Sequence, residues 1–349
     1  MTEMATREGA AEESPAETGP PPGAGVRIRR STRSSRLTIV PAVVLLAVLA
    51  YAPFIFGQNT TNTMVDFFIL LVLGMTWNVL AGYAGLVSVG QQAFLGAGAY
   101  SVLWLAQHGM DPLTALPIAA VFCAVIAIPV SWLVFRLRGG YFAIGTWAVA
   151  EVFALLTIRS AALGGGTGTN VPGLDGYDPV VLGALTYWAA LGIAVLTLLG
   201  CYLMLRSRVG LALTAVRDDE RAAEGVGVRP ARAKRVVYLV AALGAGAAGG
   251  VLAISQLNVQ ATNVYGVQWA AYMIFVVLIG GIGTLEGPIV GTIVFFTLQQ
   301  TLASHGGWYL IVVGLVAVAM ALWAPRGLWG LAERFGVHLF PVGYRVEPR

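Results

Sequence analysis

A lone carboxylate, Glu151, stands inside the apolar run YFAIGTWAVAEVFALLTI, ten residues after Tyr141. Near the middle of a membrane an acid costs about 2.5–3.5 kcal/mol on insertion scales. No basic residue lies within a helical turn of it, so its partner is expected from another helix or from water. Such a group can meet a polar solute or make a structural hydrogen bond, and the residue alone leaves both open. A second constellation is GYAGLVSVGQQAFLGAGAY at 82–100, with five glycines, Ser88 and the adjacent Gln91 and Gln92. Lipid offers no partner for a side-chain amide, and glycine weakens a helix. The segment therefore either avoids lipid or is not a simple helix. Gly82, Gly85 and Gly90 can break it, while Ser88, Gln91 and Gln92 can satisfy freed backbone groups or meet a polar solute. The same glutamines can equally bond across a helix interface, with Gly96 and Gly98 permitting close packing. The candidate pathway residues are thus Ser88, Gln91, Gln92, Tyr141 and Glu151. A third glycine-rich stretch, GGIGTLEGPIVG at 280–291, offers Gly281, Gly283 and Glu286 as a tight turn, either a gate or a plain connection between helices.

Covalent chemistry finds little support. No G-x-S-x-G or H-E-x-x-H occurs, which leaves the intramembrane-enzyme reading without a nucleophile or metal pair. His108, His305 and His338 are scattered without ligand spacing, so no metal site is expected. Cys123 and Cys201 lie inside apolar runs, without a C-x-x-C pair, and read as buried small hydrophobes.

The elements that must hold these residues follow from composition. The chain is 57% hydrophobic and 11% charged, against roughly 25% charged for an average soluble domain. Apolar runs of about 20 residues, the length of a membrane crossing, recur between residues 37 and 324. They are continuous rather than alternating, which argues against a β-barrel. The expected fold is an all-α polytopic membrane protein of about ten transmembrane helices. The spans read 37–56, 65–81, 90–107, 113–135, 141–159, 179–205, 235–257, 267–283, 288–304 and 307–324. Asp66, at the start of its span, is placed to cap that helix.

Basic residues set the topology. The arginines before residue 37, Arg136 and Arg138, the 206–235 loop and the tail from Arg326 are all expected in the cytoplasm. An even number of spans separates each group from the next, so one topology with both termini inside satisfies all of them. The charge of +4 therefore reports topology and implies no nucleic-acid partner. Residues 1–36 are small, acidic and Pro/Gly-rich before their arginines, and read as a disordered basic cytoplasmic tail. The transmembrane domain is 37–325, with a cytoplasmic tail at 326–349.

The longest cytoplasmic excursion runs from Arg206 to Arg235. Its middle, TAVRDDERAAEGVGV, reads as a short helix stopped by glycine. Arg217 can reach Glu220, and Arg221 can reach Glu224, at i,i+3. Ala222 and Ala223 leave one face narrow enough to enter a groove. With no G-x-x-x-x-G-K-[ST] in the chain, any ATP-driven step would fall to another chain.

The pattern R-D-x-E-x-A-A-x-x-x-G, from Arg217 to Gly227, resembles the ATPase-coupling loop of branched-chain amino-acid permeases of ATP-binding-cassette (ABC) importers. GYAGLVSVGQQAFLGAGAY, RLRGGYFAIGTWAVAEV at 136–152 and GGIGTLEGPIVG match that family in the same order, over about residues 40–325. RLRG-x-YFAI and the basic extension resemble the second, longer permease of the pair. Departures are Gln91, where the family often has histidine, and Trp147, where leucine is usual; GGGTGTNVPGLDG at 164–176 echoes the outer loop only loosely. The resemblance implies that Arg217, Asp218, Glu220, Ala222, Ala223, Glu224 and Gly227 dock an ATPase. It also implies a second permease subunit, two cytoplasmic ABC ATPases that use ATP and Mg, and an extracytoplasmic binding protein. This chain would need no cofactor, would sit in the inner membrane of a prokaryote, and would carry leucine, isoleucine and valine. Urea, short amides and other amino acids are the alternative substrates. An ion-coupled secondary transporter is the rival mechanism, which Glu151 would suit and the coupling loop would not.

Overall fold

The structure, a computed structural model, describes residues 26–29, 39–302, 308–324, 326–333 and 345–348. After strand β1 (Val26–Arg29) come α1 (Ile39–Ile55), α2 (Gln58–Asn78), α3 (Gln92–Gln107), α4 (Pro112–Val134) and α5 (Gly140–Arg159). Strand β2 (Thr169–Asn170) precedes α6 (Pro179–Arg206), the short α7 (Arg208–Asp218) and α8 (Glu220–Gly225), and α9 (Pro230–Gln256). Strand β3 (Asn258–Val259), α10 (Gln268–Gly280), α11 (Gly287–Leu302), α12 (Trp308–Trp323), α13 (Gly327–Glu333) and strand β4 (Arg345–Pro348) complete the order. The architecture is all-helical apart from two small two-stranded ribbons, β1–β4 and β2–β3.

Among the described residues, six helical segments are long and apolar enough to cross a membrane. They divide by burial. In Pro230–Gln256 and Gln58–Tyr83, 83% and 78% of the most apolar window is buried, against 22% in Gly140–Arg159. Helices α2 and α9 thus form the centre, and α4, α5 and α6 turn large apolar faces outward, as lipid or a neighbouring chain requires.

Local sequence explains the helix starts. Asp111 and Asp178 each stand before a proline at the first helical position and accept a backbone N–H, from Thr114 at 3.1 Å and Val180 at 2.8 Å. The side chain satisfies an orphan donor and proline has none to lose. Small residues set the packing of the centre. The carbonyl of Gly246 on α9 occupies the place of a Cβ on Gly98, and the carbonyl of Leu95 that of a Cβ on Gly249. Helices α3 and α9 therefore touch through their backbones, as small residues in membrane helices allow. Cys123 and Cys201 are buried free thiols, as their apolar surroundings predict.

Two expectations need correction. Helix α2 begins at Gln58, capped by Gly57, so Asp66 lies two turns inside it and caps nothing. The polar run QNTTNT is helix-compatible and continues the turn outward. Within residues 1–36, Val26–Arg29 is a strand paired antiparallel with Arg345–Pro348 rather than disordered, and the remainder lies outside the described residues.

Candidate functional site

The chain does leave the helix at the glycine-rich segment. Helix α2 runs into a π-helical turn, Val79–Tyr83, followed by a non-helical stretch up to Gln91 that begins with Gly85 at φ +67°. Leu86, Ser88, Gly90 and Gln91 of that stretch are buried while Gly85 and Val87 are exposed, so the irregular backbone lies largely inside protein, where it is tolerated in a membrane protein. It is pinned on both sides. Trp77 Nε1 donates to the Ser88 carbonyl at 2.7 Å, and the Val89 N–H donates to Thr146 Oγ1 on α5 at 3.1 Å. Gln92 Nε2 donates to the Val89 carbonyl at 3.0 Å. Ser88, Gln91 and Gln92 are all buried, yet both polar atoms of the Gln91 amide and Oε1 of Gln92 lack a protein partner. Buried amides of this kind require water or a solute.

The loop from Arg206 to Arg235 folds around a break at Asp219. Its extended backbone (φ −154°, ψ 111°) ends α7, and its carboxylate caps α8 by accepting from Arg221 N at 2.8 Å and Ala222 N at 3.0 Å. The break undoes the expected ion pairs. Arg217 and Glu220 stand on different helices, and among the described residues Arg221 and Glu224 form no ion pair. Instead Arg217 Nη1 donates to the Gly82 carbonyl at 2.8 Å while its Nε donates to Asp218 at 3.1 Å. Glu220 receives Lys234 Nζ, on α9, at 2.8 Å. Glycine does stop α8: Gly227 sits at φ +86° and its N–H reaches the Glu224 carbonyl at 2.9 Å. Ala223 is buried against the chain's own helices, whereas Ala222, Glu224 and Val226 are exposed. The narrow face offered outward therefore carries one of the two alanines, not both.

The turn at 281–286 meets this loop. One side chain that the sequence reading missed, Asn78, clamps it. Asn78 Oδ1 accepts from the Gly283 N–H at 2.8 Å, and its Nδ2 donates to the Thr284 carbonyl at 2.7 Å. Gly82 lies so close that a Cβ there would stand 2.5 Å from Gly283 N and 2.7 Å from Asn78 Oδ1. Thr284 Oγ1 donates to the Gly281 carbonyl at 3.0 Å and accepts from the Gly287 N–H at 3.0 Å, closing the turn. Glu286 is buried beside it. Three stretches that are remote in sequence thus converge: Arg217 of the loop, the π-helical turn, and the Gly281–Gly283 turn. The available signal for Asn78 was an amide at the end of an apolar span, directly before the glycines.

Comparison with known proteins decides the family. Residues 59–322 match the family model described as "Branched-chain amino acid transport system / permease component". The chain belongs to this permease family. It is 29% identical over 315 residues to the high-affinity branched-chain amino acid transport system permease protein LivM of Escherichia coli (strain K12), covering 82% of the chain and 74% of that protein. The corresponding LivM of Salmonella typhimurium (strain LT2) is 27% identical over 322 residues, covering 83% of the chain and 75% of that protein. No solved structure matches. Family and apolar helices together make the permease a multi-pass membrane transport subunit.

The remaining pathway candidates lie elsewhere on the permease. Tyr141 is 75% exposed, and Glu151 is exposed on the same outward side of α5. The partner of Glu151 comes from its own helix rather than from another: Trp147 Nε1, one turn back, donates to Oε1 at 3.1 Å. The tryptophan that departs from the family pattern supplies this donor. A cavity of about 540 Å³ opens between α3, α4 and α5, lined by Tyr100, Trp104, Phe122, Phe153, Thr157 and Tyr265 among others. None of Ser88, Gln91, Gln92, Tyr141 and Glu151 lines it, and it has no charged side chain.

Proposed function

We propose that this permease is the membrane-spanning subunit of an ATP-driven importer for leucine, isoleucine and valine. An extracytoplasmic binding protein delivers the substrate, a second permease completes the membrane unit, and two cytoplasmic ABC ATPases hydrolyse ATP with Mg. Its ten helices cross the inner membrane of a prokaryote with both termini inside. The pairing of Val26–Arg29 with Arg345–Pro348 favours this, since it holds the two ends of the chain together. The substrate class rests on the family and on the relatives described as LivM.

One observation carries the mechanism: the docking loop grips both central helices. Arg217 holds the Gly82 carbonyl in the π-helical turn that continues α2, and Glu220 holds Lys234 at the start of α9. The exposed face of α8, with Ala222, Glu224 and Val226, seats in the ATPase. Closure of the ATPase pair then pulls on α2 and α9 together, and Asn78 passes the movement to the Gly281–Gly283 turn at the inner gate. Ser88, Gln91 and Gln92 follow directly on the moving π-helical turn, so the unpartnered amides change exposure as it moves.

Uptake of labelled leucine at low external concentration, in cells with and without the chain, tests the reading. Loss of uptake on deletion, with competition by valine but not by a urea-type amide or a pentose, is the expected result. Surviving leucine uptake with loss of another solute's uptake overturns the substrate class. Sensitivity to a protonophore at sustained ATP overturns the energy source.

A further inference from the structure

We infer that the outward side of α5, the stripe of Tyr141, Ile144, Trp147, Glu151 and Leu155, is the surface on which the second permease docks. The inference rests on the two-permease reading above and goes beyond it by naming the face and its partner's chemistry. These residues recur every three or four positions and all are exposed, whereas Phe142, Thr146, Ala150 and Thr157 on the opposite side are buried against the permease. Lipid would cover an apolar stripe without difficulty, as it can the exposed faces of α4 and α6, which carry no Asp, Glu, Lys, Arg or His between 112 and 134 or between 179 and 205.

Glu151 is what lipid would not cover well. It sits eleven residues from Gly140 and eight from Arg159, too far from either end of the helix for a short carboxylate to reach water. Facing lipid it would cost roughly what an acid costs at the centre of a helix, and one bond from Trp147 leaves most of its acceptor capacity unused. Hydrocarbon rewards such a residue only when protein or a water-filled cleft covers it. The partner surface that fits is a membrane helix of the second permease, apolar around its rim, with a hydrogen-bond donor or a cation opposite Glu151. The Asp66 side chain, also exposed in a span, is the competing site, but it lies only eight residues from the start of α2, nearer the aqueous boundary.

Single cysteines read the face directly, because Cys123 and Cys201 are buried and do not compete for a thiol reagent. In the assembled transporter, Ile144→Cys and Leu155→Cys should cross-link to the second permease several-fold more than Leu196→Cys on α6 or Thr63→Cys beside Asp66. Glu151→Leu should weaken the permease pair on detergent challenge, and Glu151→Gln, which keeps an acceptor for Trp147, should restore it. Cross-linking that favours position 63 or 196 overturns the inference, as does a Glu151→Leu chain that pairs normally and accumulates to higher levels, the behaviour of a lipid-facing site. If the parent chain purifies without a second permease at all, the two-permease reading fails instead, and the two failures are told apart before any variant is made.

Discussion

Replacing Asn78 by alanine cuts the connection between the π-helical turn and the turn at 281–286 at one atom group. Asn78 is fully buried, and its amide is bonded to two neighbouring backbone groups, the Gly283 N–H and the Thr284 carbonyl. Alanine leaves both unpaired. At about 1–3 kcal/mol for each buried group left unsatisfied, the closed turn loses about 2–6 kcal/mol, less whatever an entering water recovers. The cost falls on the clamped state, not on the exposed face of α8, which is proposed to meet the ATPase. The expected outcome is a transporter that assembles and hydrolyses ATP but moves little leucine per ATP. Gly82→Ala attacks the same contact from the other side, since its Cβ would press on Gly283 N and Asn78 Oδ1. The two lesions share partners, so their effects should not add, with a coupling energy of about 0.5–3 kcal/mol in a double-mutant cycle. The assay is uptake against ATP turnover in reconstituted vesicles, with abundance measured in parallel. Unchanged leucine per ATP in Asn78→Ala, or strict additivity with Gly82→Ala, would refute the clamp.

Other outcomes follow from the same structure. Arg217→Gln should keep the ATPase bound yet uncouple it, by loss of the bond to the Gly82 carbonyl; an unchanged ratio of uptake to ATPase rate denies the link. Glu224→Lys, on the exposed side of α8, should leave membrane insertion intact and abolish ATPase co-purification. Gly98→Leu should overpack α3 against α9 by about 1–3 kcal/mol or more and lower the thermal midpoint of the purified protein. In the loop before α6, the Tyr177 hydroxyl donates to Asp111, at the start of α4, at 2.7 Å, and the bond raises its pKa above the ordinary tyrosine range. The proton is held more tightly when folded, so this stabilisation is complete below that range and is lost as pH rises through the raised value. Tyr177→Phe should flatten the alkaline limb of a stability profile, and a parallel profile would count against the contact.

Much of the fold was legible because membrane helices announce themselves by length and because Asp-Pro marks α4 and α6 at their first residues. Gly98 also read correctly, since close helix packing needs little more than a missing side chain. The failures came where a local rule met a backbone that had changed course. Pairing Arg217 with Glu220 assumed one continuous helix, and Asp219 preferred to cap a new one. Glu151 was expected to look to another helix or to water because no basic residue lies within a helical turn of it, yet a neutral donor, the indole of Trp147, stands one turn away. Asn78 was invisible for a different reason. Its partners lie more than two hundred positions along the chain, and nothing local distinguishes an amide that clamps a distant turn from one that ends a span.

The π-helical turn at Val79–Tyr83 has a bearing on how chains of this kind can be aligned. Such a turn is an α-helix carrying a surplus residue, so deleting Val79 would be absorbed there as ordinary helix. The helix upstream would keep its facing, because the wide turn is what takes up the surplus residue. Asn78 would still meet Gly283 and Thr284, while the backbone around Gly82, whose carbonyl receives Arg217, would be re-formed. A single gap opposite this segment in a related sequence is therefore a local difference at the Arg217 contact, with the helix before it still in register.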